Sequence, residues 1–500
     1  MDYLLEGIAT ASKSPAELLL TAVAVITASI AWLFSRPAFP TNAPHFIDGY
    51  PLLGSLDFFW KRREFLNTGK TKSPNGQISF YYGPHPIVAL SGAEARSSFY
   101  MARGLDLNEG FNGLLGQGPD SSDFTRGEDL VTYIARTFRV LMTRDRLNAS
   151  IPKLTSDVHE ALEAVRSPTQ TVVIQPFTIL SSLVYRLTHR IVGSNDIADD
   201  PKRLEASRAA YHGFEFGSAV EIMFPSLPTP SKIRRTRASA KLQAILVDEV
   251  RDRRRTGRRG DDAMQVLIDR DDPEVAISSF IIGGLLAGVI NAGVTAAWTL
   301  SHLATDAEWY ERVLEEVDVT VEKFRKTKEE NASEILTRLS LEDWESGFTH
   351  LDLCLRETIR LHVSGSAMRK NTGGKEVPIG KTGNVIPGNA FAVYNLDDVH
   401  FDGNIYADPQ KWDPSRYHPD RAEDKKVEHA FLGWGSGLHP CLGTRFAKLE
   451  MIIAIVMLLA YYNISVDGEG GDGQALPEVK SKAPTRKLQI NLNLTCTPRF

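Results

Sequence analysis

Two stretches of this chain carry no charged side chain. Leu18 to Phe34 runs for seventeen residues without one, and Val275 to Thr305 for thirty-one. As a helix at 1.5 Å per residue, the second would be roughly 46 Å long, enough to cross a bilayer. Gly283, Gly284, Gly288 and Gly293, with the polar Asn291, Thr295 and His302, point instead to burial inside protein. A helix apolar on all sides belongs in the core of a large protein. The first stretch sits at the lower limit for a bilayer helix. The residues ahead of it are mixed in charge (Asp2, Glu6, Lys13, Glu17). A cleaved signal peptide, the rival reading, has a basic lead. Arg36, Lys61, Arg62 and Arg63 follow the stretch, so the positive-inside rule puts the bulk of the chain in the cytoplasm. Pro37, Pro40, Pro44 and Pro51 then make a stiff, non-helical tether.

Ile78 to Leu90 is rich in β-formers around Gly83-Pro84 and predicts a hairpin. Helical spacing of apolar residues predicts helices over Asp129–Leu147, Lys153–Val165, Ile174–Val192, Ala238–Arg254 and His350–His362. Residues 370–400, rich in Gly, Pro and β-branched side chains, predict short strands. The pattern is mainly α with a smaller β part, and no internal repeat is visible. A hydrophobic content of 42% supports a sizeable core, and a net charge of −5 gives no case for nucleic acid as a partner. The arginines at 251, 253, 254, 255, 258 and 259 predict a solvated loop between helices. Three cysteines, Cys354, Cys441 and Cys496, are too few and too dispersed for a disulfide framework, so a reducing compartment is expected.

Candidate chemistry concentrates in Phe431-Leu-Gly-Trp-Gly-Ser-Gly-Leu-His-Pro-Cys-Leu-Gly443. Its glycines free the backbone for positive φ and for close approach to a flat partner. Apolar Leu449, Ile452, Ile453 and Val456 follow at helical spacing. The cysteine therefore lies near a helix N-terminus, a position that favours negative charge. A thiolate so placed is a good ligand for haem iron and favours O–O cleavage. The loop resembles the haem-binding loop of the cytochrome P450 family, with Trp434, Gly437, His439 and Gly443 in register around Cys441. Pro440 is unusual for that family; it stiffens the loop and removes one N–H. Pro44-His-Phe-Ile-Asp-Gly-Tyr-Pro-Leu-Leu-Gly54 is similar to the hinge after the anchor in microsomal members. Phe224-Pro-Ser-Leu-Pro-Thr-Pro230 looks like a loop that, in the family, lies against the membrane over the substrate entrance; an ordinary interhelical loop is the alternative.

The resemblance assigns the long charge-free helix to a position over the haem. Its oxygen-activation motif, Ala-Gly-x-acid-Thr, falls on Ala287-Gly288-Val289-Ile290-Asn291. The small pair Ala287 and Gly288 is present. Ile290 replaces the acid and Asn291 the hydroxyl, and an amide can hold hydrogen bonds but cannot relay a proton as a hydroxyl does. The Asn substitution, with Trp434 before the cysteine, is similar to the bile-acid hydroxylase and prostacyclin synthase branch, which contains monooxygenases and an isomerase. Glu357 and Arg360 share a helix face, and Trp412-Asp-Pro-Ser-Arg-Tyr417 looks like the family's second arginine segment. The resemblance then implies a structural Glu357–Arg360–Arg416 cluster, with Arg369 and His439 at the haem propionates.

The whole implies a cytochrome P450 fold preceded by one N-terminal transmembrane helix. The expected parts are a lumenal 1–17, an anchor at 18–34, a hinge at 35–54 and a catalytic domain at 55–500. The implied activity is that of a haem-thiolate monooxygenase carrying haem b on Cys441. It would take electrons from NADPH through a separate cytochrome P450 reductase and oxidise a lipophilic small molecule (a terpenoid, sterol or polyketide) in secondary metabolism. Membrane lipid is an expected partner and the endoplasmic reticulum membrane the expected location. A reductase-independent isomerase or dehydratase, and a non-catalytic haem-binding membrane protein, are the alternatives.

Overall fold

The computed structural model describes residues 36–115, 130–166, 170–214, 217–363, 365–466 and 492–499, with isolated positions between 16 and 27. Apart from those positions, the expected lumenal segment at 1–17 and anchor at 18–34 lie outside the described residues. Strands β1 (His45–Phe46), β2 (Ile78–Tyr82), β3 (His85–Leu90) and β4 (Leu105–Asp106) come from the N-terminal part. β2 and β3 form the expected antiparallel hairpin, with Gly83 at φ +57° in its turn. β5 (Val172–Ile174) lies far along the chain. β6 (Ser366–Asn371), β7 (Val377–Pro378), β8 (Val385–Ile386) and β9 (Phe391–Asn395) fill the region expected to hold short strands. One mixed sheet runs β1-β2-β3-β9-β6-β4. β3 and β9 pair in parallel, which ties the N-terminal hairpin to the segment after residue 370. β7 and β8 pair with each other. Near the C-terminus, β10 (Gly435–Ser436) and β11 (His439–Pro440) form a second small ladder. β12 (Tyr462–Val466) and β13 (Leu494–Pro498) complete a third sheet with β5.

The larger layer is helical. Its main members are α1 (Leu130–Leu141), α2 (Arg144–Glu163), α3 (Pro176–Val192), α4 (Pro201–His212), α5 (Pro230–Thr256), α6 (Glu274–Leu303), α7 (Ala307–Phe324), α8 (Thr349–His362) and α9 (Thr444–Tyr461). Two boundaries differ from the sequence pattern. The chain breaks at Thr143, whose ψ of 150° is extended, and α2 runs straight through Pro152. The expected gap between Leu147 and Lys153 is absent because Leu147, Ile151, Leu154, Val158 and Leu162 bury one continuous face. That burial outweighs the single backbone bond the proline removes. α5 begins eight residues before the expected Ala238, where Thr229 accepts from the Lys232 N–H at 3.1 Å and Pro230 takes the first turn. The polar Ser231–Arg237 run hid this start from apolar periodicity, although Thr-Pro is a start signal.

The arginine run is a second correction. Arg251, Arg253, Arg254 and Arg255 lie on α5 rather than in a loop. Arg253 is 2% exposed and reaches Asp262 at 2.6 and 2.7 Å, Asp196 at 2.6 Å and Ser194 at 3.1 Å. Burial alone would lower its pKa, but these carboxylates raise it overall. Arg253 therefore ties α5 to the short helix Asn195–Asp199 before α4 and to the turn after residue 260.

α6 is the charge-free stretch. Among the described residues it is the one helix long and apolar enough to cross a membrane, yet it packs against α3, α5, α8 and α9. Glycines let α3 come close: a Cβ on Gly284 would sit 3.0 Å from Val192 Cγ2, and one on Gly293 3.1 Å from Ser181 Cα. α6 is thus a core helix, as its glycines and polar residues suggested.

Candidate functional site

Glu357 is fully buried near the C-terminal end of α8. One helical turn brings Arg360 beside it, and the guanidinium binds it bidentately, Nε to Oε2 and Nη2 to Oε1, both at 2.8 Å. Arg416, from a short 3-10 turn at Pro414–Tyr417, donates Nε to Oε1 at 3.1 Å. The Tyr417 hydroxyl donates to Oε2 at 3.0 Å and the Asp413 N–H to Oε1 at 3.1 Å. The structure thus brings Glu357, Arg360 and Arg416 together, as their order suggested. Burial lowers the Arg360 pKa, and the hydrogen bonds to Glu357 more than reverse that, leaving it raised. Arg416 Nη1 also pairs with Glu423 at 3.0 Å, and Nη2 with the carbonyls of Asp408 and Lys411 at 2.8 and 3.1 Å.

This cluster reaches the cysteine loop through one histidine. Arg360 Nη1 donates to the His400 carbonyl at 2.5 Å, and His400 Nε2 accepts the Leu432 N–H at 2.9 Å. Burial, then the Arg360 charge, pushes the His400 pKa down to about 3. The ring is therefore neutral, which it must be to accept at Nε2. The loop also presses on α8, where a Cβ at Gly433 would stand 2.1 Å from Ile359 Cγ2.

Beyond Leu432 the loop folds on itself. The Gly435 N–H bonds the Leu432 carbonyl at 2.9 Å, the β10–β11 ladder turns the chain, and the Cys441 N–H returns to the Trp434 carbonyl at 2.7 Å. Gly437, at φ +62°, allows the Leu438 N–H to reach the Tyr100 carbonyl at 3.1 Å; a Cβ there would lie 2.3 Å from that same oxygen. Trp434 packs on the main core, and Cys441 is free and exposed three residues before α9. Leu438 and Leu442 flank it with large exposed apolar surfaces.

Arg369 on β6 hangs from the neighbouring carbonyl: its Nη1 donates to Phe99 at 2.6 Å, and its guanidinium lies 4.8 Å from the Phe99 ring centre. It is 2% exposed, its Nε has no partner, and burial lowers its pKa. No carboxylate pairs with it among the described residues. Half-buried His439 is close enough that the Arg369 charge adds to burial in lowering its pKa. Arg369 lies on the Phe99–Tyr100 segment, to which the cysteine loop is tied at Leu438, and among the described residues this buried cation lacks an anion.

On α6, Ala287, Ile290 and Asn291 make an exposed strip in the middle of an otherwise buried helix, and Gly288 is partly exposed beside them. The Asn291 amide donates to the Ala287 carbonyl of its own helix at 3.2 Å, leaving its oxygen available. Sequence reasoning missed Tyr417, Asp413, His400 and Tyr100. Tyr417 directly follows Arg416 in the segment already singled out and was within reach. Tyr100 acts through a backbone carbonyl and His400 through its fold position, and neither leaves a residue-type signal.

A family model described as cytochrome P450 matches residues 44–491. The cytochrome P450 monooxygenase AacuE of Aspergillus aculeatus is 31% identical over 96% of this chain and 98% of its own. The cytochrome P450 monooxygenase nsrP of Aspergillus novofumigatus is 30% identical over 90% of this chain and 89% of its own. Among solved structures, a cyanobacterial CYP120A1 bound to retinoic acid superposes with a TM-score of 0.69 at 20% identity, covering 92% of this chain and all of that one.

Replacing Glu357 with Ala strands two buried guanidiniums. Glu357→Ala is expected to lower stability by about 3 to 5 kcal/mol and to yield little haem-loaded protein, read by chemical denaturation and by haem content. Normal loading with merely slower turnover would contradict a structural role.

Proposed function

The chain belongs to the cytochrome P450 family and is a monooxygenase, an oxidoreductase; on that footing we propose that Cys441 would supply the thiolate to the iron of a haem b held between its loop and the exposed strip of α6. The observation that carries this is the free, exposed Cys441 thiol two residues after His439, which feels the charge of a buried arginine with no anion among the described residues. The donor set fits the group: a soft sulfur for iron, Arg369 Nε and His439 for propionates, and apolar Leu438 and Leu442 against the macrocycle. When bound, haem iron supplies the activation of dioxygen and its electron chemistry.

The chain's own residues do the rest. The β10–β11 turn and the Tyr100 carbonyl hold the cysteine loop in one shape. The Glu357–Arg360–Arg416 cluster anchors that loop through His400 and takes no part in chemistry. Ala287 and Gly288 keep the α6 wall low so that a small molecule can approach. Asn291 accepts from, and so orders, a water at that wall, which then delivers a proton that its amide cannot itself relay. Ile290 and Ala287 present only apolar surface, which suits a lipophilic substrate such as a terpenoid, sterol or polyketide; the retinoic acid in the cyanobacterial structure is a ligand of that character. Electrons come from NADPH through a separate reductase. Leu18 to Phe34 anchors the protein once in the endoplasmic reticulum membrane, residues 35–54 are its hinge, and the catalytic part faces the cytoplasm.

Cys441→Ser is expected to abolish the red-shifted Soret band of the reduced carbon monoxide complex; an unchanged band would mean that another residue binds iron. For Asn291→Ala the carbon monoxide spectrum should stay intact while product formed per NADPH falls roughly tenfold, or about 1.4 kcal/mol in barrier partitioning. Coupling equal to wild type would leave Asn291 a passive amide. Protease added to intact microsomes should digest the catalytic part, and full protection would reverse the proposed orientation.

A further inference from the structure

Where α6 ends, two pairs of stacked rings meet, and none of the roles above uses them. Trp298 of α6 stacks on His362, the last residue of α8, with ring centres 4.1 Å apart and planes within 7°. His302, one turn after Trp298, stacks on Trp412 at 4.8 Å and within 1°. The two imidazoles join the pairs, Nε2 to Nε2 at 2.7 Å, so one ring donates and the other accepts. Burial lowers the His302 pKa well below its usual value, and burial with the Arg360 charge takes His362 down to about 3. The pair is therefore neutral, and no positive charge stands between the two indoles.

The row has an inner and an outer end. Buried Trp298 comes seven residues after Asn291, two helical turns along the same face. Trp412 is held by its indole N–H, which donates to Thr358 Oγ1 at 3.1 Å. Trp309 of α7 meets it edge-on with ring centres 6.4 Å apart. Around Trp309 lie the exposed His350 side chain, at 6.1 Å between ring centres, and the Arg312 guanidinium at 4.9 Å. Glu308 offsets that charge, pairing with Arg312 at 2.5 Å. Apolar packing alone is served by aliphatic side chains, which bring no N–H in need of a partner. Indole is among the most easily oxidised side chains, and stacked rings give overlapping π systems from one indole to the next.

We propose that Trp298, Trp412 and Trp309, joined through the His362–His302 pair, conduct electrons inward to the haem site when no substrate takes the oxygen atom activated there. The inference rests on reading Cys441 and the α6 strip as the two sides of that site. The oxidant is the oxygen that the monooxygenase reaction activates and then fails to deliver. It takes one electron from Trp298. The resulting indole radical cation is refilled from Trp412 across the two imidazoles, and Trp412 from Trp309. A soluble thiol at the surface refills Trp309. Two such transfers, with the two protons that the thiols release, turn the oxygen atom into water and two thiols into one disulfide. No bond within the protein forms or breaks. Without thiol, the outermost indole radical is left to react with dioxygen.

Hydrogen peroxide, which brings activated oxygen to haem directly, tests this on the full-length, haem-loaded protein without substrate or reductase. Wild type is expected to show a tryptophan radical by freeze-quench electron paramagnetic resonance and, on longer exposure, oxygen added to Trp309 in peptide mass spectra. Haem-free protein under the same peroxide should show neither. Trp412→Phe should keep the red-shifted Soret band of the reduced carbon monoxide complex, lose the oxygen addition at Trp309, and bleach its haem severalfold faster. Glutathione should slow bleaching in wild type and leave Trp412→Phe unprotected. Trp309→Phe, outside the Glu357 cluster, should lose the same protection and move oxygen addition to Trp412. Equal bleaching and equal protection in wild type and Trp412→Phe overturn the proposal, as does oxygen on Trp309 of the haem-free protein. If Trp412→Phe loads no haem, Trp309→Phe decides, and bleaching and protection equal to wild type there overturn it. Absence of the red-shifted band from wild type would sink the Cys441 reading and this inference with it; its presence without a tryptophan radical sinks this inference alone.

Discussion

One carboxylate, that of Glu357, fixes the geometry of everything on the cysteine side of the molecule. It accepts from two guanidiniums, a phenol and a backbone N–H, so both of its oxygens are fully satisfied without water. Charge at full burial is tolerable only on such terms. Because Arg360 also holds the His400 carbonyl and His400 holds the Leu432 N–H, any shift in the cluster is felt at the root of the loop. Burial, with the Arg360 charge adding to it, keeps His400 neutral, and thereby keeps its ring nitrogen an acceptor. Packing, hydrogen bonding and protonation state thus depend on one side chain.

α6 is the complementary constraint. Its glycines bring α3 close, and the absence of charge after Glu274 lets it run through the interior with no further ion to satisfy. The cost is chemical, because a helix of this composition offers no acid along the exposed strip at Ala287, Ile290 and Asn291.

How much of this was legible in the sequence differs by residue. Cys441 stood out because its glycines and flanking residues form a dense local pattern. The Gly437 contact with Tyr100 shows why that density is needed. Glu357, Arg360 and Arg416 were found as two short motifs joined by resemblance, since a Glu and an Arg three apart say little alone. Arg253 was misread because a run of arginines looks solvated until Asp262, from the following turn, and Asp196, from a short helix 57 residues earlier, come to it. The passage of α2 through Pro152 depends on tertiary burial that overrides the local penalty.

The exposed strip of α6 also bears on selectivity. On the proposed reading of this strip as a substrate wall, Ala287 and Ile290 would reject a molecule by bulk but not read its charge or its hydroxyls, with Asn291 the polar group beside them on the strip. Steric discrimination of this kind distinguishes a single methylene by only about 1 to 3 kcal/mol, whereas a hydrogen-bonding site can reject an analogue by far more. Along this wall, then, related skeletons of similar girth should compete closely. Which carbon is oxidised would be set by how the molecule lies against Ile290, so that one substitution there redirects the position of attack more readily than it changes what is accepted.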